Sequence, residues 1–228
     1  MKGISRDNHF SAEAQTAFRK LIMRPEFTCL GAKAALNEDA IRIAEFDEMG
    51  TREATESLSE ALRDFARSAR INKFPSFVAM FARPLDLTET EFETCLWLQL
   101  RRLHEVDRSK WSERVSADPT NARFSFSFAG EALYVIGLHA NSSRSSRRFP
   151  WPTLVFNPHE QFERLRTEQK WKRMQEAIRA REVALQGSIN PMLSDFGDQS
   201  EARQYSGREV ARNWVAPFPE TAKCPFGH

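Results

Sequence analysis

Two short apolar runs, separated by a loop rich in serine and arginine, are the feature that most constrains the fold. Residues 132–138 and 153–156 have the length and apolar content of strands, and the second run ends in Phe156. The loop between them carries Arg144, Arg147 and Arg148 among four serines. Guanidinium groups hold carboxylates or phosphates through paired hydrogen bonds. The loop is therefore either a site for an anion or a solvated charged loop.

A histidine follows each of these two runs. If the runs pair as an antiparallel hairpin, His139 lies beside the arginine loop and His159 lies at the other end. At about 3.3 Å per residue, the two side chains are then roughly 20 Å apart and cannot bind one metal ion. His159 also follows Asn157-Pro158 at the start of a predicted helix, which favours a structural role in the turn.

Hydrophobic periodicity assigns most of the remaining chain. Apolar residues recur at helical spacing in three segments, and the predicted helices are residues 9–22, 51–69 with Thr51 as its cap, and 89–108. A fourth helical pattern runs from Pro158 to about Gln186, where Gly187 ends it. Further strands are predicted at residues 41–46, 77–81 and 124–128. These patterns predict an α+β fold with a mainly antiparallel sheet flanked by helices. We expect one compact domain over residues 1–228, with an extended tail at about 216–228.

Composition excludes several classes of protein. The formal net charge is only +2, which argues against a nucleic-acid partner, because such proteins need a basic face. No apolar run approaches the roughly 20 residues needed to cross a bilayer, so no membrane association is expected. The three cysteines are widely spaced and suit a reducing compartment. The first residues lack an apolar signal core. These features predict a cytoplasmic protein.

Several short motifs occur in one order along most of the chain. They are Cys29 with Gly31-Ala32, Trp97, Gln99, Leu103-His104, Asp107, Trp111, Gly137–His139, Ser143-Arg144, Arg147–Phe149, Phe156–Glu163, Leu185–Ser188, Asn190–Leu193, Ser200–Ala202 and Gln204–Arg208. With these motifs the chain resembles the YqcI/YcgG family. The resemblance implies a haem-dependent monooxygenase that hydroxylates a guanidino or amine nitrogen of a small amino-acid-like substrate.

The same resemblance implies haem b as cofactor and dioxygen as co-substrate. The chain has no glycine-rich flavin or dinucleotide fingerprint, so an external electron donor is expected. Two alternatives stay open: a non-catalytic haem- or small-ligand-binding protein, and a haem-free protein of the same fold.

A haem requires an axial ligand, an apolar slot and cationic partners for its propionates. His104 is the leading ligand, because it lies on a helix beside Trp97, which would cover the ring. His139 and the thiolate of Cys29 are the rivals.

The remaining roles concern the propionates and the substrate. Arg144, Arg147 and Arg148 are predicted to hold the propionates. A cationic guanidine needs acceptors instead, for which the candidates are Glu201, Asp195 and Glu163. Tyr205 is predicted to donate a hydrogen bond to the bound dioxygen, so that Tyr205 and Glu201 form the predicted catalytic pair.

Overall fold

The computed structural model describes residues 6–69 and 74–218. Five strands form one sheet: β1 (Ile41–Glu48), β2 (Ser76–Arg83), β3 (Phe126–Phe128), β4 (Glu131–Leu138) and β5 (Thr153–Pro158). The described helices are α1 (Arg6–Met23), α2 (Leu30–Asn37), α3 (Arg52–Ser68), α4 (Glu89–Val106), α5 (His159–Thr167), α6 (Trp171–Gln186) and α7 (Ala202–Tyr205). A 3₁₀ turn at Ser145–Arg147 lies between β4 and β5. The predicted α+β class is confirmed.

The sheet is mixed. Its strand order is β1-β2-β5-β4-β3, in which β1 and β2 are parallel and the other three pairings are antiparallel. The prediction of a mainly antiparallel sheet is confirmed, with one parallel pairing at the β1 edge. Parallel neighbours require a crossover, and α3 supplies it between β1 and β2.

The predicted hairpin of β4 and β5 is confirmed. Leu138 pairs with Thr153 at one end of the ladder and Leu133 pairs with Pro158 at the other. His139 follows the first end and bonds to the arginine loop, where its backbone N–H donates to the Arg147 carbonyl oxygen at 3.2 Å. His159 begins α5 at the opposite end.

Local capping sets the ends of several helices. The Thr51 hydroxyl accepts a hydrogen bond from the Ala54 backbone N–H at 3.2 Å, as expected for an N-cap. Thr88 forms a reciprocal capping box with Glu91 at the start of α4. Gly187 ends α6 in the left-handed conformation with φ of 77°, which an L-residue adopts only under strain.

The helical pattern from Pro158 to Gln186 was predicted as one helix, but the structure contains two. α5 ends at Thr167 and α6 begins at Trp171, with Gln169 at φ of 57° between them. Residues 219–228 of the predicted tail lie outside the described residues. No helix within residues 6–69 and 74–218 is long and apolar enough to span a bilayer.

Apolar side chains pack on both faces of the sheet. On one face, alternate residues of β2 such as Phe77 and Phe81 join α3 and α4 in the larger core. On the other face, Val78 and Met80 contact a smaller cluster from α1. Because both faces are covered, β2 is apolar and buried from Phe77 to Phe81. The second face also contains the cavity described below.

Candidate functional site

A cavity of about 260 Å³ lies on the face of the sheet that α1 covers. Its floor is formed by alternate residues of β2, β4 and β5, among them Val78, Ile136 and Val155. Its walls come from α1, the start of α2 and α6. Residues of α6 at helical spacing, including Met174, Ile178 and Glu182, face inward and cover the floor.

Arg147 brings a buried positive charge to the cavity wall. Its Nη1 donates to two backbone oxygens, those of Tyr205 at 2.9 Å and Gly137 at 3.3 Å. Among the described residues, no carboxylate oxygen lies within 4.0 Å of the guanidinium, and Nε and Nη2 have no hydrogen-bond partner. Burial lowers the pKa of Arg147, although arginine still stays protonated in proteins. Buried charges are normally paired, so this one is suited to an anion from a ligand.

Arg144, by contrast, has its own partners. Its Nη2 contacts Glu182 Oε2 at 3.4 Å and donates to the Ser188 carbonyl oxygen at 2.8 Å. Glu182 also accepts from the Asn190 backbone N–H at 3.1 Å. This cluster fastens the arginine loop to the end of α6. Glu182 is thus shared with Arg144, which leaves the local charge around Arg147 positive.

Glu201 brings an acceptor to the same cavity. Its side chain is buried, and Oε1 lies 3.1 Å from His159 Nε2. Its other oxygen, Oε2, is buried and has no hydrogen-bond partner among the described residues. An unsatisfied buried carboxylate oxygen is costly, and a cationic ligand group would satisfy it.

Tyr134 lies between these two charges on β4. Its hydroxyl donates to Gln204 Oε1 at 2.9 Å, and both residues line the cavity. Burial raises the pKa of Tyr134 strongly, while the charge of Arg147 lowers it and that of Glu201 raises it. The phenol is therefore neutral and serves as a hydrogen-bonding group.

Cys29 also lines the cavity. Its Sγ caps α2 by accepting from the Ala32 backbone N–H at 3.4 Å. Burial raises the pKa of the Cys29 thiol, an effect that nearby backbone amides and Arg147 only partly offset. Cys29 is therefore a protonated thiol at neutral pH.

Several predicted site residues lie away from the cavity. His104 is exposed on α4, across the sheet, where its ring contacts Trp111 and Phe218 at centroid distances of 5.5 and 5.4 Å. Trp97 is buried in the larger core and stacks on Tyr205 at 5.7 Å. His104 and Trp97 were predicted to bind and to cover one haem ring. Neither side chain lines this cavity.

Tyr205 and His139 are buried but do not line the cavity. The Tyr205 hydroxyl accepts from the Phe126 backbone N–H at 2.9 Å, and only its carbonyl oxygen contacts Arg147. The His139 ring stacks on Phe92 at 4.4 Å, and burial lowers its pKa. His139 is consequently a neutral imidazole within the packed end of β4.

Two further predicted residues are exposed. Arg148 points away from Arg147, and its Nε donates to the Ser142 carbonyl oxygen at 2.7 Å. Asp195 is exposed and accepts a hydrogen bond from Gln175. Of the three loop arginines only Arg147 lines the cavity, and of the three acidic candidates only Glu201 does.

Sequence reasoning missed Tyr134, Gln204 and Glu182 as cavity residues. A signal existed for Tyr134, because β4 alternates and places it on the same face as Ile136 and Leu138. A signal also existed for Glu182, which continues the four-residue spacing of Met174 and Ile178 on α6. Gln204 carried none, since its position depends on contacts distant in sequence.

A haem bound in this cavity would need an axial ligand from its lining. Of the three predicted axial ligands, only Cys29 lines the cavity, and its raised pKa disfavours the thiolate that binds iron. Within residues 6–69 and 74–218, no group of three or more His, Cys, Asp or Glu side chains is placed to hold a metal ion. The cavity, at about 260 Å³, is smaller than the roughly 300–1,000 Å³ of common ligand pockets.

The fold and the site thus define an α+β protein with a small cavity that has a cationic and an anionic wall. The chain belongs to the YqcI/YcgG family, whose model matches residues 18–219. It is 30% identical over 212 residues to the uncharacterised protein YcgG of Bacillus subtilis (strain 168), covering 89% of this chain and 81% of that protein. It is 28% identical over 211 residues to the uncharacterised protein YqcI of the same organism, covering 88% and 80%. No solved structure matches the chain significantly.

Proposed function

We propose that this protein binds a small amino-acid-like molecule in the sheet cavity. The anionic group of the ligand would contact Arg147, and its guanidinium or ammonium group would contact Glu201. One observation carries the proposal: two buried and oppositely charged side chains line one cavity, and each has polar atoms without a partner among the described residues. A ligand with both charges would satisfy both.

The other cavity residues support this orientation. Tyr134 and Gln204 supply neutral hydrogen-bonding groups near the two charges. The aliphatic floor at Ile136 and Val155 suits the methylene chain of such a ligand. The volume is that of one small molecule, so the bound ligand would displace water from both charged groups.

Three probes separate the two contacts. L-arginine carries a carboxylate and a guanidinium, agmatine lacks the carboxylate, and L-citrulline lacks the guanidinium charge. A partly desolvated charge-assisted contact contributes about 1.5–3 kcal/mol, which is about one to two decades of affinity. We expect isothermal titration calorimetry to show that L-arginine binds most tightly. The affinities of agmatine and L-citrulline should each be lower by about one to two decades.

Matched variants assign each loss to a residue. Arg147→Met should weaken L-arginine but leave agmatine nearly unchanged, and Glu201→Gln should weaken L-arginine but not L-citrulline. Arg148→Met is the control, because Arg148 is in the same loop but exposed. Equal effects of Arg147→Met and Arg148→Met on L-arginine would contradict the proposal. Failure of all three probes to bind at millimolar concentration would also contradict it.

Haem-dependent N-hydroxylation of this ligand stays a prediction that rests on the resemblance to the family. Haem would supply the oxygen chemistry, while the chain would bind, orient and desolvate the nitrogen to be oxidised. The test is the absorption spectrum of the purified protein and its titration with hemin. A colourless protein that fails to bind added hemin would refute the prediction.

The spectrum also ranks the predicted ligands. His104→Ala, His139→Ala and Cys29→Ala should each be compared with the unmodified protein, and the variant that loses or shifts the Soret band identifies the ligand. Incubation with reductant, dioxygen and arginine-like guanidines then separates an enzyme from a ligand-binding protein. An enzyme would add one oxygen atom to the probe, which mass spectrometry detects, and a binding protein would leave it unchanged.

A further inference from the structure

The first turn of α2 presents weakly bonded backbone amides to the cavity. Gly31 and Ala32 both line it, and the Cys29 sulfur caps the helix at 3.4 Å from the Ala32 N–H. Sulfur is a weak acceptor, whereas the usual N-cap residues accept through oxygen. The first turn also contains no acidic residue. The positive end of α2 is therefore not neutralised by its own turn, and such a helix start favours an anion.

Gly31 leaves space beside these amides. It has no side chain, so a ligand atom can approach its backbone closely. Among the described residues, a Cβ at this position would meet only the Cys29 sulfur, at 3.9 Å. The turn is also held in place, because Lys33 Nζ donates to the Arg24 carbonyl oxygen at 2.7 Å and so fastens α2 to the end of α1. The start of α2 is thus both accessible from the cavity and fixed.

Arg147 points to an anionic ligand independently of the helix. Its side chain is only 8% exposed, and Nη1 is held by the carbonyl oxygens of Gly137 and Tyr205. Nε and Nη2 have no partner among the described residues, and together they form the edge of a guanidinium that matches the two oxygens of a carboxylate. Arg147 also lies near the start of α2, because its charge lowers the pKa of the Cys29 thiol.

We propose that the first turn of α2 and Arg147 together form one subsite for a carboxylate. The guanidinium binds the two carboxylate oxygens, and the Gly31 and Ala32 amides donate to one of them. The Cys29 sulfur then lies against the bound group. The inference rests on the proposed function for the identity of the ligand, because this carboxylate is the anionic group assigned to Arg147. It adds the helix start as the second half of the site.

Two alkylating reagents test the subsite without the ligand. Iodoacetate carries a carboxylate next to its reactive carbon, whereas iodoacetamide is neutral and of similar size. In both reactions the Cys29 thiol releases its proton to solvent, a bond forms between Sγ and the carbon, and iodide leaves. A carboxylate bound to Arg147 and α2 would place the reactive carbon of iodoacetate beside Sγ. Because both reagents meet the same thiol at the same pH, the ratio of their rates does not depend on the thiol pKa.

The ratio of the iodoacetate rate to the iodoacetamide rate at Cys29 is the decisive measurement. It should be about tenfold higher in the folded chain than in the urea-unfolded chain, which is the effect of one charge-assisted contact. Peptide mapping by mass spectrometry follows Cys29 separately from the other two cysteines. Arg147→Met should return the ratio to its value in the unfolded chain. Arg148→Met is the matched control and should keep the high ratio, because Arg148 is exposed in the same loop.

Acetate provides a second measurement that needs no variant. It should occupy the subsite reversibly and so slow the labelling of Cys29 by iodoacetamide several-fold, relative to sodium chloride at the same ionic strength. Equal rates in acetate and chloride would overturn the inference. This comparison uses the unmodified chain, so it decides the question even if Arg147→Met does not fold.

Three results of the rate comparison would also overturn the inference. They are a folded-chain ratio no higher than the unfolded-chain ratio, a high ratio that persists in Arg147→Met, and a Cys29 that reacts with neither reagent because small carboxylates cannot reach it. Calorimetry with L-arginine separates these failures from a failure of the proposed function. Binding of L-arginine without the iodoacetate preference would remove α2 from the site. The preference without binding would keep the subsite and refute L-arginine as its ligand.

Discussion

Gly207 offers a sharp test of how Arg147 is held against the cavity. It follows α7 with φ of 84°, and a Cβ at this position would lie 2.7 Å from Arg147 Cδ and 3.1 Å from its Nε. Ordinary contacts between such atoms are about 3.5–4.0 Å. The arginine cannot easily give way, because Nη1 is bound to two backbone oxygens. Gly207→Ala should therefore displace the guanidinium from its two acceptors.

Two contributions make up the expected loss of stability. An L-residue in the left-handed region costs about 1–2 kcal/mol. Inserting a methyl group into a packed site costs about 1–3 kcal/mol more. Gly207→Ala should thus lower the free energy of unfolding by about 2–5 kcal/mol. Gly187→Ala is the matched control, because φ is 77° there and a Cβ would meet nothing within 4 Å. It should cost only the first contribution.

Urea denaturation at 25 °C measures both values, and a double-mutant cycle isolates the clash. In an Arg147→Ala background, Gly207→Ala should cost no more than Gly187→Ala does, because the atoms it meets are gone. Gly207→Ala should also weaken L-arginine binding while sparing agmatine. Equal costs for Gly207→Ala and Gly187→Ala in the unmodified background would refute the reasoning.

Three further predictions follow from the fold and the cavity. Gly137→Ala would place a Cβ 2.5 Å from the Phe92 ring, so it should cost about 1–3 kcal/mol. At about 2–4 °C per kcal/mol, calorimetry should show a melting temperature lower by several degrees, and no change would contradict the packing. Thr51→Ala removes the α3 cap and should cost about 1 kcal/mol in urea denaturation, whereas Thr51→Asn should stay close to the original. Because burial raises the pKa of Cys29, iodoacetamide should label it at pH 7 more slowly than in the urea-unfolded chain, and equal rates would contradict this.

The parts of the fold that were predicted correctly depend on local signals. Alternation and apolar content located β4 and β5, and strands that are consecutive in the chain commonly pair, as these two do. Thr51 marked the start of α3 because a hydroxyl cap acts within three residues. The parallel pairing of β1 with β2 was missed, although the predicted order of strand, helix and strand over these residues is that of a parallel pair joined by a helical crossover.

The break between α5 and α6 has no glycine or proline to indicate it in the sequence. Residues 168–170 contain no glycine or proline, yet Gln169 adopts a positive φ. The two helices occupy different positions: α5 carries His159 beside the sheet, and α6 covers the cavity. In the structure, α5 ends in a Schellman motif, in which the Gln169 N–H donates to the Arg166 carbonyl oxygen and the Lys170 N–H donates to that of Leu165, each at 3.0 Å.

The candidate site was predicted only in part, because its geometry depends on contacts that are distant in sequence. The arginine loop was recognised by composition, but which arginine turns inward depends on the 3₁₀ turn at Ser145–Arg147 and on the carbonyl oxygens that fix Arg147. His104 and Trp97 both lie on α4, the helix that was predicted to carry the axial ligand. Whether that helix faces the cavity is decided by the sheet, and α4 packs on the opposite face.

The separation of Arg147 from Glu201 indicates which ligands the cavity would select. Direct pairing of these two buried charges would neutralise both. However, no oxygen of Glu201 lies within 4.0 Å of the Arg147 guanidinium. A ligand with one charge would satisfy one wall and leave the other unpaired, at a cost of about 1–3 kcal/mol. A ligand with two opposite charges avoids that cost, provided that its length spans the gap. Discrimination would therefore come from the group left unsatisfied by the wrong ligand, and should be strongest between L-arginine and agmatine, which lacks the carboxylate and carries only positive charges.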